Sequence, residues 1–126
     1  MFEGYDILAN FPFSSQNKKM SVLVKHRETG KIIYFVKGAE VVMEGIMRAS
    51  QKALLLEFCE QLAMEGLRTL VFAQKLLTQE ECDNFMKSYT EALNSMSQRE
   101  SKIQVALKQI EFEMNFIGVS GVEDKL

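Results

Sequence analysis

Between Tyr5 and Ala39 the chain runs through three apolar stretches of period two, separated only by short polar turns. This period constrains the fold most, because successive residues of a strand point to opposite faces of a sheet. In Tyr5 to Phe13, the residues Tyr5, Ile7, Ala9 and Phe11 alternate with Asp6, Leu8 and Asn10. Leu8 breaks strict polarity, so both faces of this strand are expected to be partly covered. Pro12 removes a ladder hydrogen bond and marks a strand edge or end. Ser14 to Lys19 is a turn rich in Ser, Asn and Lys. Met20 to Arg27 resumes the period, with Met20, Val22 and Val24 on one face. Glu28-Thr29-Gly30 reads as a hairpin turn with glycine where positive φ is needed, and Lys31 to Lys37 is the partner strand. Three strands joined by short turns predict an antiparallel meander.

The remaining chain alternates helices with two further strands. Ala39 to Met47 has Val42, Met43 and Ile46 at helical spacing, and Arg48 to Lys52 is a polar break. Leu55, Phe58, Cys59 and Leu62 then fall at i, i+3, i+4 and i+7 of a helix that Gly66 is placed to end. Thr69 to Leu76, β-branched and aromatic, predicts a fourth strand. Thr78-Gln79-Glu80-Glu81 is a capping box opening a helix with Cys82, Phe85, Met86, Tyr89 and Leu93 on one face. Ser97-Gln98-Arg99-Glu100 repeats that signature ahead of Ile103, Ala106, Leu107, Ile110 and Met114. Asn115 to Val122 is the last strand. The expected fold is α+β: an antiparallel sheet of about five strands flanked by helices, with the two capped helices covering one face.

Composition removes several function classes. At 126 residues the chain is expected to form one domain. Its formal net charge is −2, from 15 basic and 17 acidic residues, which argues against a nucleic-acid partner. Asp6 lies in the opening segment and no basic start precedes an apolar run, so no signal peptide is expected. No apolar segment approaches the ~20 residues of a membrane helix. Cys59 and Cys82 lack metal-ligand spacing and read as core thiols in a reducing compartment. No Gly-x-x-x-x-Gly-Lys-Ser/Thr, Gly-x-Gly-x-x-Gly or Gly-x-Ser-x-Gly run occurs. The lone histidine, His26, reads as a solvent-facing or partly covered strand residue rather than a catalytic base.

An aromatic and several cations gathered on one sheet would suit a planar, anionic ligand such as a nucleotide. Each candidate also has an ordinary reading. Phe13 is either core filler, the commoner fate of a strand aromatic, or a stacking platform. Lys18, Lys19 and Lys37 are either solvated charges or phosphate partners. Arg68, just after a helix end, is either a dipole partner or a ligand contact. Only their joint occurrence points to a site.

Phe-Ser-Ser-x-x-Lys-x-Met-Ser-Val (Phe13 to Val22), Lys-Gly-Ala (Lys37 to Ala39), Glu-Gly-Leu-Arg-Thr-Leu (Glu65 to Leu70) and the closing Gly-Val-Glu-Asp-Lys-Leu occur in order. Together they resemble the nucleotide-binding domain of P-type ATPases across essentially the whole chain. Glu-Gly-Leu-Arg-Thr-Leu, Glu-Asp-Lys-Leu and the Thr78 to Ile110 insertion, with Tyr89-Thr90-Glu91-Ala92 and Arg99, are most similar to the phospholipid flippase branch. The resemblance implies ATP as ligand. Phe13 would stack on adenine, and Lys37 would line the adenine pocket. Lys18 and Met20 match nucleotide-contacting positions, and Arg68 would reach toward the phosphates. Gly38 would let the backbone approach the base. Ser15 stands where ion pumps often carry a cationic contact.

The family's Asp-Lys-Thr-Gly-Thr phosphorylation motif, its magnesium-binding aspartates, its membrane helices and the segment before Tyr5 that holds an acidic residue near the adenine do not occur here. The resemblance therefore implies a partial nucleotide-binding domain over 1–126, ending at the hinge toward the phosphorylation domain and not catalytic alone. Mg2+ would be supplied through the parent enzyme. The phosphorylation and actuator domains of the same chain would be its partners, phospholipid would be met only by the membrane segments, and the domain itself would be cytoplasmic. The competing expectation is a free-standing α+β interaction domain that docks a partner on its amphipathic helices. That reading predicts an exposed apolar patch on the Thr78 to Met114 helices and no response to nucleotide, and Phe13 sealed in the core with Lys37 turned away from it would favour it.

Overall fold

A computed structural model describes residues 4–14 and 17–122. Five strands form one sheet: β1 (Tyr5–Phe11), β2 (Lys19–His26), β3 (Ile32–Ala39), β4 (Arg68–Leu77) and β5 (Asn115–Val122). They lie in sequence order, and every pair is antiparallel. Between β3 and β4 come a short helix α1 (Glu40–Met43), two 3-10 turns (Glu44–Ile46 and Ala49–Gln51) and α2 (Lys52–Met64). Between β4 and β5 lie α3 (Gln79–Leu93) and α4 (Arg99–Leu107). The α+β architecture and all five expected strands are therefore present.

Local chemistry explains most boundaries. Gly30 turns the β2–β3 hairpin at φ +73, donating its N–H to the His26 carbonyl at 2.9 Å. α2 ends in a Schellman motif: Leu67 N–H bonds the Leu62 carbonyl, and Gly66 N–H, at φ +77, bonds that of Ala63. The Thr78 capping box forms as expected, Thr78 Oγ1 accepting from Glu81 N–H and the Glu81 carboxylate from Thr78 N–H.

The core occupies one face of the sheet. Ala9, Phe11, Leu23, Tyr34, Val36, Val71 and Ala73 point to it, and Leu55, Cys59, Cys82, Phe85 and Leu107 pack down from the helices. Phe11 is the aromatic hub, edge-on to Tyr34, Phe85 and Tyr89 at 6.5, 5.9 and 5.1 Å. Full burial of each such side chain is worth roughly 1.5–3 kcal/mol.

Five local expectations differ from the structure, the first being that a bulge between Ile7 and Ala9 puts Ile7 on the face opposite Ala9 and Phe11. β1 stops at Phe11 rather than Phe13, because Pro12 cannot continue the ladder. α4 ends at Leu107, yet Ile110 and Met114 stay buried in the connector that follows. Ser97 does not cap α4; the N-cap is Gln98, left-handed at φ 53, without a side-chain cap bond. Phe58 lies at the rim of the core, 42% exposed and stacked on Phe116 at 6.0 Å.

Candidate functional site

The helices cover one face of the sheet, and the other carries an open concavity of about 410 Å³. Register decides its lining. Met20, Lys37 and Phe72 sit side by side across β2, β3 and β4, and Val22 and Phe35 form the next row. All five border the concavity, with Ile7 and Asn10 from β1 and Ile117 from a bulge in β5. The floor is thus apolar and aromatic with one ammonium group, a composition suited to a flat ring carrying anionic substituents.

The other sequence-selected residues collect at one end of the sheet, where β1 and β3 finish and β2 and β4 begin. Phe13 follows β1 by two residues and is 61% exposed, so it is not core filler. Lys18 is exposed and left-handed at φ 55; its N–H bonds the Ser14 carbonyl at 2.7 Å. The Lys18 carbonyl accepts from Ala39 N–H at 3.3 Å, which joins Lys18 to Lys37-Gly38-Ala39. Ser14 Oγ donates to Glu100 on α4 at 3.3 Å, so the residue after Phe13 is held from the helical side. Arg68 opens β4, exposed, and in phase with Leu70 and Phe72. Ser15 and Glu123-Asp124-Lys125-Leu126 lie outside the described residues.

Gly38 has a steric reason of its own to be glycine. A Cβ there would lie 2.8 Å from Lys19 Cβ and 2.9 Å from the Lys18 carbonyl oxygen. The missing side chain therefore admits β2 on the covered face.

Beneath the site is a polar cluster that sequence reasoning missed. Lys19 turns inward and forms an ion pair with Glu111, the two side chains being 13% and 3% exposed. Tyr34 donates its hydroxyl to Glu111 Oε2 and also meets Ser21 Oγ at 2.8 Å. Burial first, and then the Glu111 charge, hold the Tyr34 phenol well above its ordinary value, so it stays a proton donor. Lys19 carried a faint signal, being in phase with the core residues Ser21 and Leu23. Glu111 carried none.

The remaining groups have ordinary surroundings. Cys59 and Cys82 are free, buried thiols raised in pKa chiefly by desolvation. His26 is half-buried, edge-on to Tyr5 at 4.9 Å, and its Nδ1 meets Thr29. Among the described residues, no group of three or more His, Cys, Asp or Glu is placed to hold a metal ion. None of the described helices is long and apolar enough to cross a membrane. The helical layer exposes Leu93, Val105 and Met96.

A β1–β5 meander helix-covered on one face, with Lys-Gly-Ala ending β3 beside the open concavity, is the arrangement expected of a P-type ATPase nucleotide domain. The family model described as "P-type ATPase, cytoplasmic domain N" matches residues 1–126. This chain belongs to that family. It is 42% identical to the human "Probable phospholipid-transporting ATPase IIB" over 98% of its own length. It is 37% identical to "Phospholipid-transporting ATPase NEO1" of Saccharomyces cerevisiae over 98%, and 36% identical to "Probable phospholipid-transporting ATPase tat-5" of Caenorhabditis elegans over its full length. The chain covers 10%, 11% and 12% of those three relatives, respectively.

Proposed function

We propose that this domain binds ATP on the open face of its sheet and presents it for phosphoryl transfer to an aspartate on a separate phosphorylation domain. The parent protein would be a phospholipid-translocating P-type ATPase. One observation carries the reading: Phe13 is exposed at the same end of the sheet as Lys37, and Lys37 shares the concavity with Met20 and Phe72. Adenine would stack on Phe13 over the apolar floor. Lys37, Lys18 and Arg68 would answer the phosphate charge. Mg2+ would travel with the phosphates. The actuator and phosphorylation domains would be the neighbours, and the lipid would be met by membrane segments, leaving this piece on the cytoplasmic side.

The test is an NMR titration of the domain with ATP. Shifts should cluster around Phe13, Lys37 and Arg68, and a uniform lack of response at millimolar nucleotide would sink the reading. Phe13→Ala should weaken binding by about tenfold, since stacking of a base on an aromatic is worth ~1–3 kcal/mol. Because Phe13 is 61% exposed, the same change should leave the melting temperature nearly unmoved.

A further inference from the structure

We propose that Glu111 is a positioning residue for the nucleotide site, acting through Lys19 on the opposite face of the sheet. The inference rests on the nucleotide reading above. Lys18 and Lys19 are adjacent, yet Lys18 is exposed and Lys19 is drawn inside to Glu111. That ion pair fixes the first residue of β2. Lys19 lies between Lys18, whose carbonyl holds Ala39 N–H, and Met20, which borders the concavity beside Lys37. The Lys19 stem packs against Gly38, where a side chain would displace it. Glu111 itself is held by the backbone: its N–H bonds the Leu107 carbonyl at 2.9 Å, continuing the last turn of α4. Its second carboxylate oxygen is occupied by Tyr34. A rigid anion under the sheet thus sets the inward direction of Lys19. Strand alternation then turns Met20 outward, beside Lys37 on the open face.

Stability alone is a poor reason for the pair. Burying two charges is costly, and apolar residues of similar volume often serve as well or better. What an apolar pair lacks is direction. Lys19→Met combined with Glu111→Leu should therefore fold with a melting temperature close to that of the unaltered chain. It should bind ATP about five- to tenfold more weakly, as off-site changes in a coupled network do. Its Ala39 amide should exchange faster with solvent as the bond to Lys18 loosens. A second variant, Glu111→Gln, keeps an oxygen for Tyr34 but removes the charge holding Lys19. It should show the same two effects, in smaller measure, if the double variant does not fold.

The readouts separate the two ideas. Silence of the unaltered chain toward ATP overturns the nucleotide reading. Unchanged Ala39 exchange in whichever variant folds overturns the positioning role, whatever the nucleotide does. An unchanged dissociation constant in that variant also overturns it, because a purely structural pair would give that result.

Discussion

At Gly38 the backbone of β3 meets that of β2 so closely that no Cβ fits between them. Lys18 contributes a carbonyl oxygen and Lys19 the base of a constrained side chain, so neither neighbour can withdraw easily. Gly38→Ala should therefore destabilise the domain by about 1–3 kcal/mol, the usual range for overpacking. It should also weaken ATP binding, because the Lys18–Ala39 bond spans the same place. Urea unfolding followed beside an ATP titration would check both, and wild-type values in each would refute the steric account. Phe13, Lys18, Met20, Lys37, Gly38 and Arg68 were all legible as candidates. Whether Phe13 was platform or filler was not, because a strand aromatic reads alike from sequence in either setting. The positions of Lys19 and Glu111 were not legible as a pair, since 92 residues separate them.

At the scale of elements, α3 and α4 show how far local signals reach. At α3 the Thr78 box forms in full, with Glu80 and Glu81 in the first turn. The bond from Thr78 N–H is the largest cause holding the Glu81 carboxyl below its ordinary value. A folded pKa that is lowered gives stability present above the unfolded value of about 4.3, and loses it as pH falls through the lower folded value. The cap should thus be at full strength at neutral pH and fade below about pH 4. Thr78→Ala should cost about 1 kcal/mol at pH 7. Glu81→Ala, which removes the titrating acceptor, should cost less in acid than at neutral pH, as thermal melts at pH 7 and pH 3 would show. The same motif at Ser97 does not form, because its second residue takes the cap position. The link from Leu93 to Arg99 must reverse the chain, and Gln98 takes the left-handed turn at the cap position. Ser95 organises that link instead, donating to the Ser97 carbonyl and meeting Lys102 Nζ, each at 2.7 Å.

Over the whole molecule, the sheet order places β3 in the middle, paired on both sides, with Tyr34 and Val36 buried under the helices. Its amides should exchange slowest, near the global unfolding limit. β1 and β5 are edge strands with one neighbour each and should open earlier, β5 also for its glycines Gly118 and Gly121. Native-state hydrogen exchange would measure the order, and β1 protection equal to that of β3 would contradict it.

Sequence by itself determined the five strands, the order of the first three, the Gly30 turn, the Gly66 stop and the Thr78 cap. Each of these rests on spacing or on a neighbour a few residues away. It also marked the residues at the open end of the sheet, through motifs that stand in order along the chain. Tertiary structure alone decided which face the helices cover, and so that Phe13 stays exposed while Lys19 goes under. A period of two separates two faces but carries no sign for inside. That sign comes from Phe85, Leu107 and Glu111, which arrive from the far end of the chain to close over Phe11, Leu23 and Tyr34.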